Sequence, residues 1–221
     1  MLLLSVDTSL DKASFCISND HKILWFEENE KRNEQAGWLH NALQNALNNT
    51  EISLEKLEAV AVSNGPGSYT GLRVGLSTAK GLCYALNIPL ICINTLEILA
   101  KSVQHEAIEL ICPMIDARRM EVFTAIYDKN LQLVREPFAT ILDENGFAEM
   151  PQGPSILFTG NGSAKLNPAL MASPRLEVRE KKIDSKDMIP LAEKYFSEKM
   201  FQNVAYSEPY YVKDVYISAK K

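Results

Sequence analysis

Hydrophobic and polar positions along this chain follow two different periods. Residues 2–7, 13–18 and 22–28 read as three consecutive strands, with Asn19-Asp20 as the turn between the second and third. Three strands ahead of any helix predict an antiparallel start, not a βαβ unit. The period then lengthens. Residues 34–48 carry Ala36, Leu39, Leu43, Ala46 and Leu47 as one helical stripe, flanked by Trp38. A short helical turn at 53–57 leads into an apolar strand at 59–62, a loop of Asn, Gly and Pro, and a second amphipathic helix at about 69–86. Leu72, Leu76, Ala79, Cys83 and Leu86 form its stripe, and Ser68 or Thr70 can cap it. A strand at 89–93 and a helix from Thr95, itself a candidate cap, to about Val103 complete this half.

The pattern then begins again. Residues 110–116, 121–127 and 131–135 read as three strands, with Asp128-Lys129-Asn130 as a hairpin turn. An extended stretch at 138–142, a short helix at 143–149 and a strand at 155–159 ending in Gly160-Asn161-Gly162 follow. The last helix is expected at 184–199, with Met188, Leu191, Ala192, Tyr195 and Phe196 as its stripe and Pro190 in its first two turns. The expectation is an α/β protein of two lobes: residues 1–104, and a compressed second lobe at 105–221 whose last helix and tail return to the first.

At 221 residues, 46% apolar and 23% charged, the chain can build a core without covalent staples. Cys16, Cys83, Cys92 and Cys112 never form C-x-x-C and sit in apolar segments, so they read as buried free thiols. His21, His40 and His105 are isolated and make no metal motif. A net charge of −5 opposes strong nucleic-acid binding by the chain alone, and Lys220 and Lys221 read as a solvated tail. Met1-Leu2-Leu3-Leu4 stops at Asp7 without a basic start, and no run approaches a membrane span. A cytoplasmic protein without a membrane partner is expected.

The most informative stretch is Ser63-Asn64-Gly65-Pro66-Gly67-Ser68-Tyr69-Thr70-Gly71-Leu72-Arg73-Val74-Gly75. Amides at a helix start attract anions, so a phosphate loop is one reading. The spacing matches neither G-x-G-x-x-G, nor Walker A, nor the hydrolase elbow G-x-S-x-G. The other reading is a tight strand-to-helix turn. Gly71, Gly75 and Gly81 each cost a helix about 1 kcal/mol relative to Ala, which implies close approach by another backbone. Gly71, Gly75 and Thr78 form a small face beside the apolar stripe.

That stretch, continued through Ala79-Lys80-Gly81-Leu82, resembles the signature of the bacterial TsaB (YeaZ) family. Leu4-Ser5-Val6-Asp7-Thr8-Ser9, the run Pro113 to Phe123 containing Asp116-Ala117-Arg118-Arg119, and Glu208-Pro209-Tyr210-Tyr211-Val212 extend the likeness over most of the chain in order. Two departures stand out: Gln35-Ala36 where a histidine is common, and Tyr69 where Phe is usual. The resemblance implies the actin-like, ribonuclease-H-like fold shared with hexokinase. It implies a non-catalytic subunit that supports threonylcarbamoyl transfer to adenosine in tRNA. Its expected partners are a TsaD-like transferase and a TsaE-like ATPase, with a homodimer when alone and tRNA contacted only through the complex. No cofactor is required, although ATP or ADP with Mg at the complex interface is compatible with the fold.

In that superfamily an acidic residue at the end of the first strand helps hold a metal-nucleotide. Here Asp7 and Thr8 stand there, but no glycine follows to close the hairpin on phosphate. Asp7, Thr8, Gly65, Gly67 and Arg118 are the candidate nucleotide residues; at the second turn, an arginine clamping a phosphate or carboxylate and Asp116 pairing locally with an arginine are equal readings. TsaD carries a His-x-x-x-His metal pair after the strand at 89–93. Thr95 and Leu99 stand there in this chain, so neither a metal site nor catalytic residues are expected, and a metallopeptidase reading fails on the same positions. An ATPase or small-molecule kinase of the same fold is the rival, but only one lobe shows a Gly-rich loop on this reading. A lone tRNA-binding module is disfavoured by the acidic composition. Leu39, Leu43, Leu72, Gly75, Leu76 and Ala79 are the expected partner interface.

Overall fold

The computed structural model describes residues 1–31, 35–50 and 52–213. The expected helix start at Glu34, the side chains of Gln35 and Ala36, and the tail lysines lie outside that description.

One strand order is used twice. The first sheet holds β1 (Leu2–Asp7), β2 (Ala13–Asn19), β3 (Lys22–Asn29), β4 (Ala59–Gly65) and β5 (Leu90–Asn94) in the order β3-β2-β1-β4-β5. β1 pairs antiparallel with β2 and parallel with β4, as Leu4 opposite Ile17 on one side and Val60 on the other shows. The second sheet holds β6 (Leu110–Asp116), β7 (Glu121–Asp128), β8 (Leu133–Ile141), β9 (Ile156–Thr159) and β10 (Leu176–Arg179). Read from β8, its order is the same, with β6 antiparallel to β7 and parallel to β9.

The halves differ in what covers them. α1 (Gln35–Asn49) and α2 (Tyr69–Leu86) pack on the outer face of the first sheet, where Leu39, Leu43, Leu76 and Ala79 meet Leu4, Val6, Phe15 and Ile17. Each fully buried leucine contributes roughly 1.5–3 kcal/mol. Among the described residues, 3-10 turns and loops cover the second sheet there, with Phe147, Met150 and Leu166 filling over Met114 and Phe158. α3 (Thr95–Val103) lies between the sheets: Leu96, Ile98 and Leu99 share one core with Ile93 of β5 and with Ile111, Ile115 and Leu157 of the second sheet. α4 (Ile189–Ser197) adds Leu191 and Ala192 to that core, and beyond it Gln202 N donates to the Leu90 carbonyl of β5 at 2.8 Å.

Four local expectations need correction. Residues 143–149 form a turn in which Asp143 bridges Gly146, whose φ of +100 no helix tolerates. The stretches at 131–135 and 138–142 belong to one strand, β8, whose pairing with β7 shifts register around Ile126. β10 went unread because four residues of alternating charge, Leu-Glu-Val-Arg, carry little periodic signal. The last helix is split into a 3-10 turn (Ser185–Met188) and α4, with Pro190 at the junction. Proline lacks the N–H that a continuous helix would use there.

Candidate functional site

The loop after β4 spends its glycines on its own chain. Gly65 sits at φ +119, and a Cβ there would strike the Tyr210 carbonyl; one on Gly67 would strike the Ser9 carbonyl. Ser68 N donates to that Ser9 carbonyl at 2.6 Å, and Ser68 Oγ caps α2 by accepting from Gly71 N. Thr8 is fully buried, and its hydroxyl donates to the Gly71 carbonyl at 2.7 Å. Of the two readings of this loop, the tight turn describes the observed contacts.

Asp7 lies beneath the loop, 2% exposed. Its Oδ1 accepts from Ser9 N at 2.9 Å, Ser9 Oγ at 2.6 Å and Ser63 Oγ at 2.6 Å. Burial pushes its carboxyl above the ordinary aspartate value, opposed by the Ser63 and Ser9 bonds.

The second lobe presents a matching turn. Asp116 Oδ1 accepts from Arg118 N at 2.5 Å and pairs with Lys165 Nζ at 2.5 Å, while Asn161 Oδ1 accepts from Asp116 N at 2.9 Å. Partial burial works to raise the Asp116 carboxyl, but Lys165 and the Arg118 amide outweigh it and hold it below its usual range. Local pairing of Asp116 is therefore real, although the side-chain partner is Lys165 and not an arginine. Arg118 and Arg119 adopt φ of +72 and +49, and both side chains are exposed.

Between the two turns lies a cleft of about 630 Å³, lined by Gly67, Ser68 and Thr70 from one lobe and by Asp116, Arg118 and Asn161 from the other. Of the five candidate nucleotide residues, Gly67 and Arg118 reach this cleft. Asp7, Thr8 and Gly65 do not: they are buried under the loop. A metal-nucleotide gripped by Asp7 thus does not fit the residues present, because Asp7 is 2% exposed and its Oδ1 already accepts three bonds from Ser9 and Ser63. Sequence reading missed Asn161 and Lys165. It also missed that Gly160-Asn161-Gly162 follows β9 as Gly65-Pro66-Gly67 follows β4. Gly162 N donates to the Met114 carbonyl at 3.0 Å, the counterpart of Ser68 on Ser9, so both lobes carry a glycine turn. The repeated G-x-G after a strand was the available signal.

The expected partner interface needs the largest correction. Leu39, Leu43, Leu72, Leu76 and Ala79 are at most 6% exposed, and all face the chain's own sheet. Gly75 faces inward too: a Cβ there would collide with Thr8 Oγ1. An apolar stripe on a helix lying over a sheet is consumed by that sheet. The outer side of the same helices is left exposed, with His40, Asn41, Gln44 and Asn45 on α1 and Tyr69, Arg73, Ser77 and Tyr84 on α2. Arg73 Cζ sits 4.0 Å from the Tyr69 ring centroid, and its Nε donates to Tyr211 Oη at 3.2 Å.

Thr95 and Leu99 are both fully buried in the interlobe core. Asn94, not Thr95, caps α3, by accepting from Leu96 N at 2.9 Å; the Thr95 hydroxyl has no partner among the described residues.

Two lobes of one strand order, packed on a shared core beside a cleft, define a protein of the actin-like, ribonuclease-H-like class. Residues 32–220 match the family model described as TsaD, tRNA N6-adenosine threonylcarbamoyltransferase. The chain is 27% identical to the tRNA threonylcarbamoyladenosine biosynthesis protein TsaB of Escherichia coli (strain K12), over 97% of this chain and 95% of that one. It is 41% identical to the TsaB of Bacillus subtilis (strain 168), over 39% of this chain and 37% of that protein. Its fold matches YeaZ from Pseudomonas aeruginosa with a TM-score of 0.81 at 21% identity, covering 95% and 99% of the two chains. The chain belongs to the TsaD-related family of tRNA threonylcarbamoyladenosine biosynthesis proteins, in its TsaB (YeaZ) group. No helix among the described residues is long and apolar enough to cross a membrane.

Proposed function

We propose that this chain is a non-catalytic subunit that docks a TsaD-like transferase through the outer side of α1 and α2 and so supports threonylcarbamoyl transfer to tRNA adenosine. The observation that carries this is the exposed set Tyr69, Arg73 and Tyr84 along α2, beside a groove of about 520 Å³ that includes His40 of α1. Tyrosine and arginine are the residue types enriched at interface hot spots. The burial of Thr95 and Leu99 supports the non-catalytic part, because side chains locked in the core offer no metal ligand to a substrate.

The same face would pair with a second copy when the partner is missing, and a TsaE-like ATPase would join the assembled complex, in the cytoplasm. Nucleotide is not required by the chain itself. ATP or ADP with Mg held at the joint of the complex would meet the cleft at Ser68, Thr70 and Arg118, not at Asp7. The acidic chain contacts tRNA only through its partner.

Size-exclusion chromatography with the TsaD-like partner tests the reading. Arg73→Glu and Tyr84→Arg change exposed positions and should abolish co-elution while circular dichroism stays unchanged. Co-elution of both variants at wild-type affinity would refute the docking face. Transferase activity in the purified chain alone would refute the non-catalytic role.

A further inference from the structure

A second cavity lies where α3, β7, β8, α4 and the C-terminal stretch converge. Its volume is about 270 Å³, too small for a nucleotide and sized for a short aliphatic chain. Glu97, Glu136, Tyr127, Tyr195, Tyr210 and Leu131 line it. Tyr127 is only 5% exposed, and its hydroxyl makes no hydrogen bond among the described residues. The phenol lines the cavity with its hydrogen-bonding capacity free for a bound group. Tyr195 Oη donates to Glu97 Oε2 at 2.5 Å, which orients that carboxylate and leaves its other oxygen available.

Both carboxylates act on the Tyr127 hydroxyl. Burial and then the charges of Glu97 and Glu136 push the Tyr127 phenol up, and burial and then Glu136 do the same to Tyr210. The same side chains line one cavity. Burial also pushes the Glu97 carboxyl up, offset by the Tyr195 bond and by the charge of Lys194. The lining itself, two acids, three phenols and an aliphatic wall, carries no positive charge. A metal ion is a poor match, since no group of three or more His, Cys, Asp or Glu side chains among the described residues could hold one.

We infer that this cavity binds a primary alkylammonium group, carried by a free polyamine or by a lysyl side chain, with Glu97 and Glu136 as counter-charges and the tyrosines as its walls. The Tyr127 hydroxyl accepts an N–H from the ammonium, the aliphatic stem lies on Leu131, and aromatic faces add cation attraction. The site is independent of the docking face and of the interlobe cleft.

Isothermal titration of the whole chain at low salt tests it, with n-butylammonium, putrescine and Nα-acetyl-lysine methylamide as probes and n-butanol as the neutral control. Saturable one-to-one binding of the amines, absent for butanol, is expected. Glu136→Gln, at an exposed position, should weaken it about tenfold, and Tyr127→Phe by a similar factor. Tightest binding of putrescine assigns a free polyamine as the natural occupant; tightest binding of the blocked lysine assigns a lysyl side chain. Any one of three results overturns the site: no saturation by about 10 mM amine, wild-type affinity in Glu136→Gln, or equal binding of butanol. Binding of Mg²⁺ without binding of any amine would overturn it as well.

Discussion

The backbone amide of Tyr210 donates to the carbonyl of Asn64 at 2.7 Å, so the end of the described chain is tied to the loop that opens α2. Gly65 lies under this contact, at φ +119 and with no room for a Cβ beside the Tyr210 carbonyl. Gly65→Ala is expected to cost about 1–3 kcal/mol from backbone conformation alone, with the clash in addition. Urea unfolding should show the loss, and chymotrypsin should cleave at Tyr210 or Tyr211 faster than in the wild type. Unchanged cleavage would mean that the tail is held elsewhere.

Gly75 and Thr8 form a second such pair. Gly75→Ala drives a methyl into Thr8 Oγ1 and should destabilise by about 1–3 kcal/mol. Thr8→Ala removes the bond to the Gly71 carbonyl and should cost about 1 kcal/mol. In the double variant the clash is gone, so its loss should be smaller than the sum of the two. Strict additivity in the thermodynamic cycle would sink the assignment. Gly75→Arg, by the same geometry, should melt the monomer and not merely detach a partner.

The Asp7 carboxyl has its proton affinity raised in the folded state, chiefly by burial. The native protein therefore binds more protons than the unfolded chain between the ordinary aspartate value, about 3.9, and the raised one. Across that window Asp7 makes stability fall as pH rises; below it, this stabilisation is fully present. Asp7→Asn cannot titrate, so the wild-type minus variant difference in unfolding free energy should decline with rising pH and level off above the raised value. A flat difference would show that serine donors cancel the burial cost completely.

The thiols should be inert in the native state. Burial pushes Cys16, Cys92 and Cys112 up to about 12 and Cys83 up to about 11. A thiol reagent at pH 8 should modify none of them until denaturant is added, because thiolate is the reacting species. Rapid labelling of one cysteine in folded protein would contradict this.

Gly81 differs from Gly75 on the same helix, since a Cβ there meets nothing within 4 Å. Gly81→Ala should stabilise the isolated chain by about 0.5–1 kcal/mol, read as a higher urea midpoint at unchanged slope.

The strands of the first sheet, both amphipathic helices and the repeat of three strands after Glu109 were legible in the residues, because period 2 and period 3.6 are local properties. The family signature was legible too, as three blocks in order. Periodicity defines a face but does not say what the face meets. Leu39, Leu72 and Leu76 could equally have met a partner; only the sheet beneath them decided otherwise. The fate of the glycine loop was settled by Ser9 and Tyr210, one near each end of the chain, and no local pattern brings those carbonyls together. Asp7 reads as a candidate nucleotide residue in the sequence; its bond from Ser63, on a neighbouring strand, exists only in the fold. Strands, helices and the family motif follow from neighbours in sequence. Which residues reach the cleft follows from contacts between distant segments, whose geometry exists only once both lobes have closed on α3.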